Sequence, residues 1–267
     1  MADIASLLQN LEPISRNIAL TSFVLSFSSL ALGILDAYRL VYLPQAIFNF
    51  TKPEIWRLAT SLVLSSPGFG IILDPYFIYM YGSSCERTRF RRFSGDYPFF
   101  LVFVSVIIIA LNHYVTGFVT FTSPLILALC YYHVAFEPSS ARGQIFMFQI
   151  PIKFMPLAML VMAGLQGGMP AVIHGATGAV AAHAYLFLTE IWPKSGSGNG
   201  ESLIKTPRWF VRLFAERQDR GPPEIRVRRN TVVQEGVRVG GDAGATGSSA
   251  TQGRPGGAFR GTGHRLG

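Results

Sequence analysis

Long apolar runs fill the chain up to residue 192 and give way to a polar, glycine-rich stretch after it. The first run, residues 18–35, comes close to the length of about 20 residues needed to cross a bilayer as a helix. Its several serines point to one side of that helix facing protein rather than lipid. Further runs cover residues 68–84, 97–114, 120–136, 154–165 and 174–192, so the pattern predicts six membrane-spanning helices. Ahead of them, Ile4, Leu7, Leu8 and Leu11 repeat at helical spacing and predict a short surface helix before Pro13.

The connections carry the topological signal. Residues 36–67 mix Tyr38, Tyr42, Phe48, Phe50 and Trp56 with Arg39, Lys52, Glu54 and Arg57, a composition that lies in the bilayer interface more readily than it crosses. Asn49-Phe50-Thr51 within it is a glycosylation sequon, used only if this loop stands clear of the lumenal surface. Asp74-Pro75 is expected to interrupt the second span near its start. The loop after that span contains Arg87, Arg89, Arg91 and Arg92, and the loop after the fourth contains Arg142 and Lys153, with residues 145–154 expected along the interface. Gln166-Gly167-Gly168 reads as an uncharged turn closing a short fifth span. Positive charge after spans two, four and six places both termini on the cytosolic side.

Composition agrees with this reading, at 49% hydrophobic residues and 14% charged over 267 positions. The formal charge of +8 is a property of the tail, because residues from Pro193 onward hold 13 Lys and Arg against 6 Asp and Glu. A basic tail beside a membrane domain argues for a cytosolic face and against nucleic acid as a partner. Only Cys85 and Cys130 are present, with no disulfide framework and no metal-ligand spacing, and nothing calls for a cofactor. The N-terminus lacks a basic leader and a nearby cleavage site, so the first run is expected to remain as a span.

Beyond the membrane, residues 193–218 are expected to form a linker and an amphipathic interfacial helix. Thr206-Pro207 has the look of a helix start, and Trp209, Phe210, Leu213 and Phe214 fall on one side of it. Residues 219–258 are rich in Gly and Arg and poor in apolar groups, the composition of a disordered segment. Phe259 and Leu266, near the end, are isolated apolar anchors in that tail; a linear binding motif and a solvated tail without a partner are both consistent with them.

Three positions in the membrane domain carry chemistry. In the last span, Gly178 and Ala182 are small residues four apart, the spacing that lets helices approach closely in lipid. His183 beside them is an ionisable group at membrane depth, and reads either as a histidine hydrogen-bonded across a helix interface or as a catalytic base. Arg57 has five guanidinium donors able to tie together carbonyls of an irregular loop, with Trp56 as an interfacial anchor; a snorkelling Trp/Arg pair is the plainer alternative.

Taken in order, Glu54-Ile55-Trp56-Arg57, the Gly178-x-x-x-Ala182-His183 pattern, Thr206-Pro207 and the terminal Phe259-x-Gly261-x-Gly263-x-x-Leu266 resemble the Derlin family of rhomboid-like proteins. The resemblance covers most of residues 1–212 and resumes in the last nine. It implies an all-α membrane protein, a six-span rhomboid-like bundle over residues 1–192 with a disordered cytosolic tail, in the endoplasmic reticulum membrane. It also implies a role in returning misfolded proteins to the cytosol for degradation. Residues 259–267 look like the SHP box through which such proteins recruit the hexameric valosin-containing AAA ATPase, with Phe259, Gly261, Gly263 and Leu266 as its contact positions. A membrane ubiquitin ligase complex, misfolded substrates and the bilayer itself are the other implied partners, while self-assembly is left open. Family members usually have glycine where this chain has Ala182.

No catalytic residue is assigned. An active rhomboid needs a serine in Gly-x-Ser-Gly on the fourth span, activated by a sixth-span histidine, because a hydroxyl is a weak nucleophile until a neighbour takes its proton. That motif is missing from the sequence, and residues 120–136 offer only Ser123-Pro124. Two rivals are an active intramembrane serine protease, which would need an unconventional nucleophile, and a transporter or channel, which would need repeated halves and a lined midplane pathway.

Overall fold

A computed structural model describes residues 12–49, 52–90, 95–138, 140–145, 148–194, 204 and 206–212. The surface helix expected before Pro13, the tail from residue 213 and the contact positions Phe259, Gly261, Gly263 and Leu266 lie outside the described residues.

Helix α1 (Pro13–Ser26) begins with proline at its first position and runs on through a π-helical turn, Phe27–Ala31. Ser15, Ser22, Ser26 and Ser29 are buried along one side while Leu20, Val24 and Phe27 are exposed, so the serine face does meet protein. A 3-10 turn at Ala37–Arg39 and the short helices α2 (Pro44–Ile47) and α3 (Trp56–Val63) fold the following loop into a compact unit.

Helix α4 (Gly70–Thr88) contains Pro75 yet continues for 19 residues. The expected interruption does not occur. Pro75 is the sixth residue of the helix and its missing N–H leaves one carbonyl, that of Ile71, without its intrahelical donor, while the Asp74 carboxylate accepts from the Ser66 amide at 2.9 Å. The helix also runs past the expected boundary, carrying Glu86 and Arg87 with it.

Helix α5 (Asp96–Val115) spans 20 residues and α6 (Thr122–Val134) only 13. Between α6 and the next helix the chain forms an antiparallel hairpin, β1 (Arg142–Ile145) with β2 (Phe148–Pro151), in the register Arg142↔Pro151. The hairpin is a small β element that the all-α assignment did not include, and it takes up residues 145 and 148–151 of the segment expected along the interface. Pro151 closes the second strand, where a proline costs no ladder bond.

Helix α7 (Met155–Leu186) is one continuous run by its ends but breaks at Gly168. The φ of 68° there is one that no side-chain-bearing residue adopts comfortably. The break turns the run into two segments, 155–167 and 169–186, at the glycine pair read as a turn. A π-helical turn, Phe187–Ile191, extends its end. Among the described residues, two stretches are long and apolar enough to cross a membrane: α5, and the run Ile152–Lys194 that contains α7.

The core forms where α4, α5, α6 and α7 meet. Phe100, Val104, Ile108, Phe121, Ala128 and Cys130 are fully enclosed, and Tyr132 packs between Phe90, Phe100 and Tyr185. Outside it, Val102, Val106, Val161, Leu165 and Val180 are exposed, the apolar exterior that a bundle in lipid needs.

Candidate functional site

Arg57 opens α3 and is buried to 3% exposure. Its Nε donates to the Glu54 carboxylate, and one Nη donates to the carbonyls of Tyr38 at 2.6 Å and Val41 at 3.1 Å. The Tyr38 ring centroid lies 5.8 Å from the guanidinium carbon, within cation–π range. A planar fork with fixed donor directions suits this task, since three acceptors from two chain segments converge on it. Trp56, its neighbour, points outward and is 54% exposed beside the similarly exposed Ile55 and Phe48, as an interfacial anchor would be.

The loop that Arg57 braces is fastened in turn to the start of α6. The Phe121 amide donates to Ser61 O at 2.7 Å, Thr122 Oγ1 donates to Leu64 O at 2.6 Å, and the Tyr42 amide donates to Val119 O at 2.8 Å. Ser22 Oγ donates to Val63 O at 2.7 Å, and Ser26 Oγ accepts from the Ser65 amide, so α1 holds the same loop from its other side.

Gly178 meets this stretch from α7. A β-carbon built on Gly178 would overlap the carbonyl oxygen of Pro124 and stand 2.9 Å from its Cα, so the two backbones touch with no room for a side chain. Ala182, one turn on, is fully buried. Gly178 thus packs on Pro124 directly, whereas Arg57 braces the loop whose Tyr42, Ser61 and Leu64 bond to residues 119–122.

His183 falls elsewhere. It is exposed, and its Nδ1 pairs with the Tyr131 hydroxyl at 2.9 Å. Tyr131 and Ser123 both lie on α6, and the eight positions between them amount to about 12 Å of helical rise. The histidine is thus held well away from the one serine of interest. The partner across a helix interface is the feature read from sequence; its depth in the core is not, for the buried histidine is His174.

His174 belongs to a network that sequence inspection passed over. Its Nδ1 lies 2.6 Å from Asn112 Oδ1, which also accepts from Thr116 Oγ1 at 2.6 Å. Asn112 Nδ2 donates to Ile108 O and to Thr177 Oγ1, both at 2.8 Å, and Thr177 donates to His174 O. Every polar atom of the buried amide is thus engaged, and α5 is bonded to the second segment of α7. An amide inside an apolar run was the available signal.

A second unforeseen contact ties the opposite end of the bundle. The Glu86 carboxylate accepts from the amides of Ile14 and Ser15, at 3.1 and 2.9 Å, and from Ser15 Oγ at 2.7 Å. It supplies from α4 the cap and negative charge that the N-terminus of α1 does not provide for itself.

With these supports in place, α4 and the 155–167 segment flank a groove floored by α6. Its upper part is a cavity of about 630 Å³ in which Ser66, Asp74, Ser123 and Gln166 sit among apolar residues. A second cavity of about 660 Å³ shares Leu73 and Phe77 with it and reaches Ser84, His133 and Arg142 beside the hairpin. Among the described residues no cluster of His, Cys, Asp or Glu could hold a metal ion. The groove thus offers scattered hydrogen-bonding groups along an otherwise apolar wall open to the bundle's exterior.

Comparison with known proteins fits this arrangement. The model of the Der1-like family matches residues 11–208. The chain is 29% identical over 235 residues to a protein named probable derlin-1 homolog of Dictyostelium discoideum, covering 85% of this chain and 92% of that one. It is 27% identical over 223 residues to Derlin-1 of Oryza sativa subsp. japonica (82% and 81% covered) and 26% identical over 226 residues to Derlin-1 of Arabidopsis thaliana (82% and 80%). With a family match over most of its length and relatives aligned almost end to end, the chain belongs to the Der1-like family.

Proposed function

We propose that this protein is a quality-control factor of the endoplasmic reticulum membrane, a rhomboid pseudoprotease that eases misfolded proteins back across the bilayer towards the cytosol. The observation that carries the proposal is the shortness of the helices beside the groove. Helix α6 has 13 residues but is enclosed by the bundle, so the short element that faces lipid is the segment 155–167, also 13 residues long, with Leu157, Val161 and Leu165 exposed. Each rises about 20 Å, against a hydrocarbon core of about 30 Å. The adjacent α5 has 20 residues, and its rise of about 30 Å matches that core. Short spans draw the bilayer thin around them. Thinning lowers the cost of passing peptide groups, each of which costs several kcal/mol when left unsatisfied in hydrocarbon.

The groove's polar groups would meet those peptide groups part-way, and six spans would leave both termini in the cytosol. Energy for extraction would come from a hexameric AAA ATPase of the valosin-containing type, recruited by Phe259, Gly261, Gly263 and Leu266 at the end of a flexible tether. A membrane ubiquitin ligase complex would mark the extracted substrate. His183 is paired with Tyr131, which stands about 12 Å of helical rise from Ser123, and this separation supports a role other than proteolysis.

The test is to remove residues 259–267 and follow two quantities in native membranes: ATPase recovered with the protein, and the half-life of a misfolded membrane protein. Recovery should collapse and the half-life lengthen. Undiminished recovery of the ATPase rejects the recruitment, and an unchanged half-life in cells lacking the protein altogether rejects the quality-control role.

A further inference from the structure

The chain returns to the bundle after residue 194. Thr206 Oγ1 donates to Asp96 Oδ1 at 2.6 Å, at the first turn of α5. Immediately beyond it, the amides of Phe210 and Val211 bond to Pro207 O at 3.0 and 3.2 Å, closing a helical turn. Val211 lies so close to Gly95 that a β-carbon there would stand 2.8 Å from its Cα, and Phe210 packs edge-on against Phe99 at 5.8 Å. Trp209 stays 64% exposed. Residues 206–212 are therefore a small docked strap. The contacts that hold it include a charge-assisted hydrogen bond, an aromatic contact and a tight backbone approach.

Thr206 is half-buried, is followed by Pro207, and bonds to the start of α5, the helix that follows the α4 terminus carrying Arg87. We propose that Thr206 is a phosphorylation site for a proline-directed protein kinase, and that a phosphoryl group there releases the 206–212 strap from the head of α5. In the transfer, Thr206 Oγ1 attacks the γ-phosphorus of a nucleoside triphosphate. A new O–P bond forms, the bond to the bridging oxygen breaks, the hydroxyl proton passes to the kinase base and the diphosphate leaves.

The consequence follows from the present contact. The hydroxyl donates to a carboxylate, whereas a phosphate has no proton to donate at neutral pH and carries nearly two negative charges. Donor and acceptor become two anions at hydrogen-bonding distance, beside a helix N-terminus already matched by Asp96. A short docked segment opens part of the time, so the kinase acts on the open form and the charge opposition disfavours closing again.

The full-length protein in nanodiscs should be treated with a proline-directed kinase and ATP, with phosphate mapped by mass spectrometry and amide exchange followed across residues 207–212. Phosphate on Thr206 and exchange faster by about tenfold or more at Phe210 and Val211 are expected. Thr206→Val, which keeps the packing but has no hydroxyl, should take up no phosphate at this position. Asp96→Asn, which keeps an acceptor without the charge, should lose much less protection on phosphorylation. Absence of phosphate at Thr206 overturns the proposal, as does phosphorylated protein with unchanged exchange; equal release in Asp96→Asn overturns the charge opposition it rests on.

Discussion

Gly178 and Pro124 touch backbone to backbone: a β-carbon on the glycine would overlap the proline carbonyl oxygen and stand 2.6 Å from the carbonyl carbon. That single contact sets how closely α7 can approach the start of α6, and with it the floor of the groove. Overpacking a closed contact costs about 1–3 kcal/mol, and here backbone rather than a flexible side chain would have to give. Gly178→Ala should therefore lower the melting temperature in detergent clearly, whereas Ala182→Gly, which removes a buried methyl without adding a clash, should cost about 1 kcal/mol. Equal melting of Gly178→Ala and the unaltered protein would rule out so tight a packing.

Arg57 tests whether charge or geometry holds the loop between α1 and α4. Lysine keeps the charge but cannot reach Glu54, Tyr38 O and Val41 O together from one fork. Removing one member of a buried ion pair costs about 3–5 kcal/mol when nothing replaces it. Arg57→Lys should therefore destabilise nearly as much as Arg57→Ala, read as protease sensitivity of residues 36–67. A lysine variant as resistant as the native protein would show that charge alone suffices.

The amide of Asn112 bridges α5 and α7 with all its polar atoms used. Asn112→Leu leaves His174 and Thr177 without this partner in a buried site, at a cost of about 1–3 kcal/mol. A double-mutant cycle with His174→Phe should give a coupling of about 1 kcal/mol or more, since contacting residues couple and distant ones do not. Additive effects would mean that the 2.6 Å approach contributes nothing.

A fluorophosphonate probe for activated serine should not label the protein. His183→Ala and Tyr131→Phe should each change stability little, because their hydrogen bond is exposed. Labelling that disappears in His183→Ala would establish a working base and overturn the pseudoprotease reading.

How far the sequence could go is visible in these same residues. The serines of α1 and the Gly167-Gly168 turn could be read because each is a local signal, a polar stripe at helical spacing and a glycine free to take positive φ. Arg57 was legible as a tie for carbonyls, though not which carbonyls, since Tyr38 and Val41 reach it only through the folded loop. The Asn112–His174 pairing and the Glu86 cap on Ser15 join residues 62 and 71 positions apart, and no periodicity encodes a partner at that distance. The groove is hidden for the same reason. Pro75, the sixth residue of α4, misled in a related way: a proline inside an apolar run costs a helix one bond, and whether the helix continues depends on tertiary packing that the run does not show.

Bilayer thickness around the protein, taken from headgroup densities by electron cryomicroscopy in lipid nanodiscs, decides whether short spans deform the membrane. The headgroup separation should shrink by several ångströms beside the 155–167 segment and stay normal beside α5. A uniform bilayer around the whole perimeter would refute the thinning.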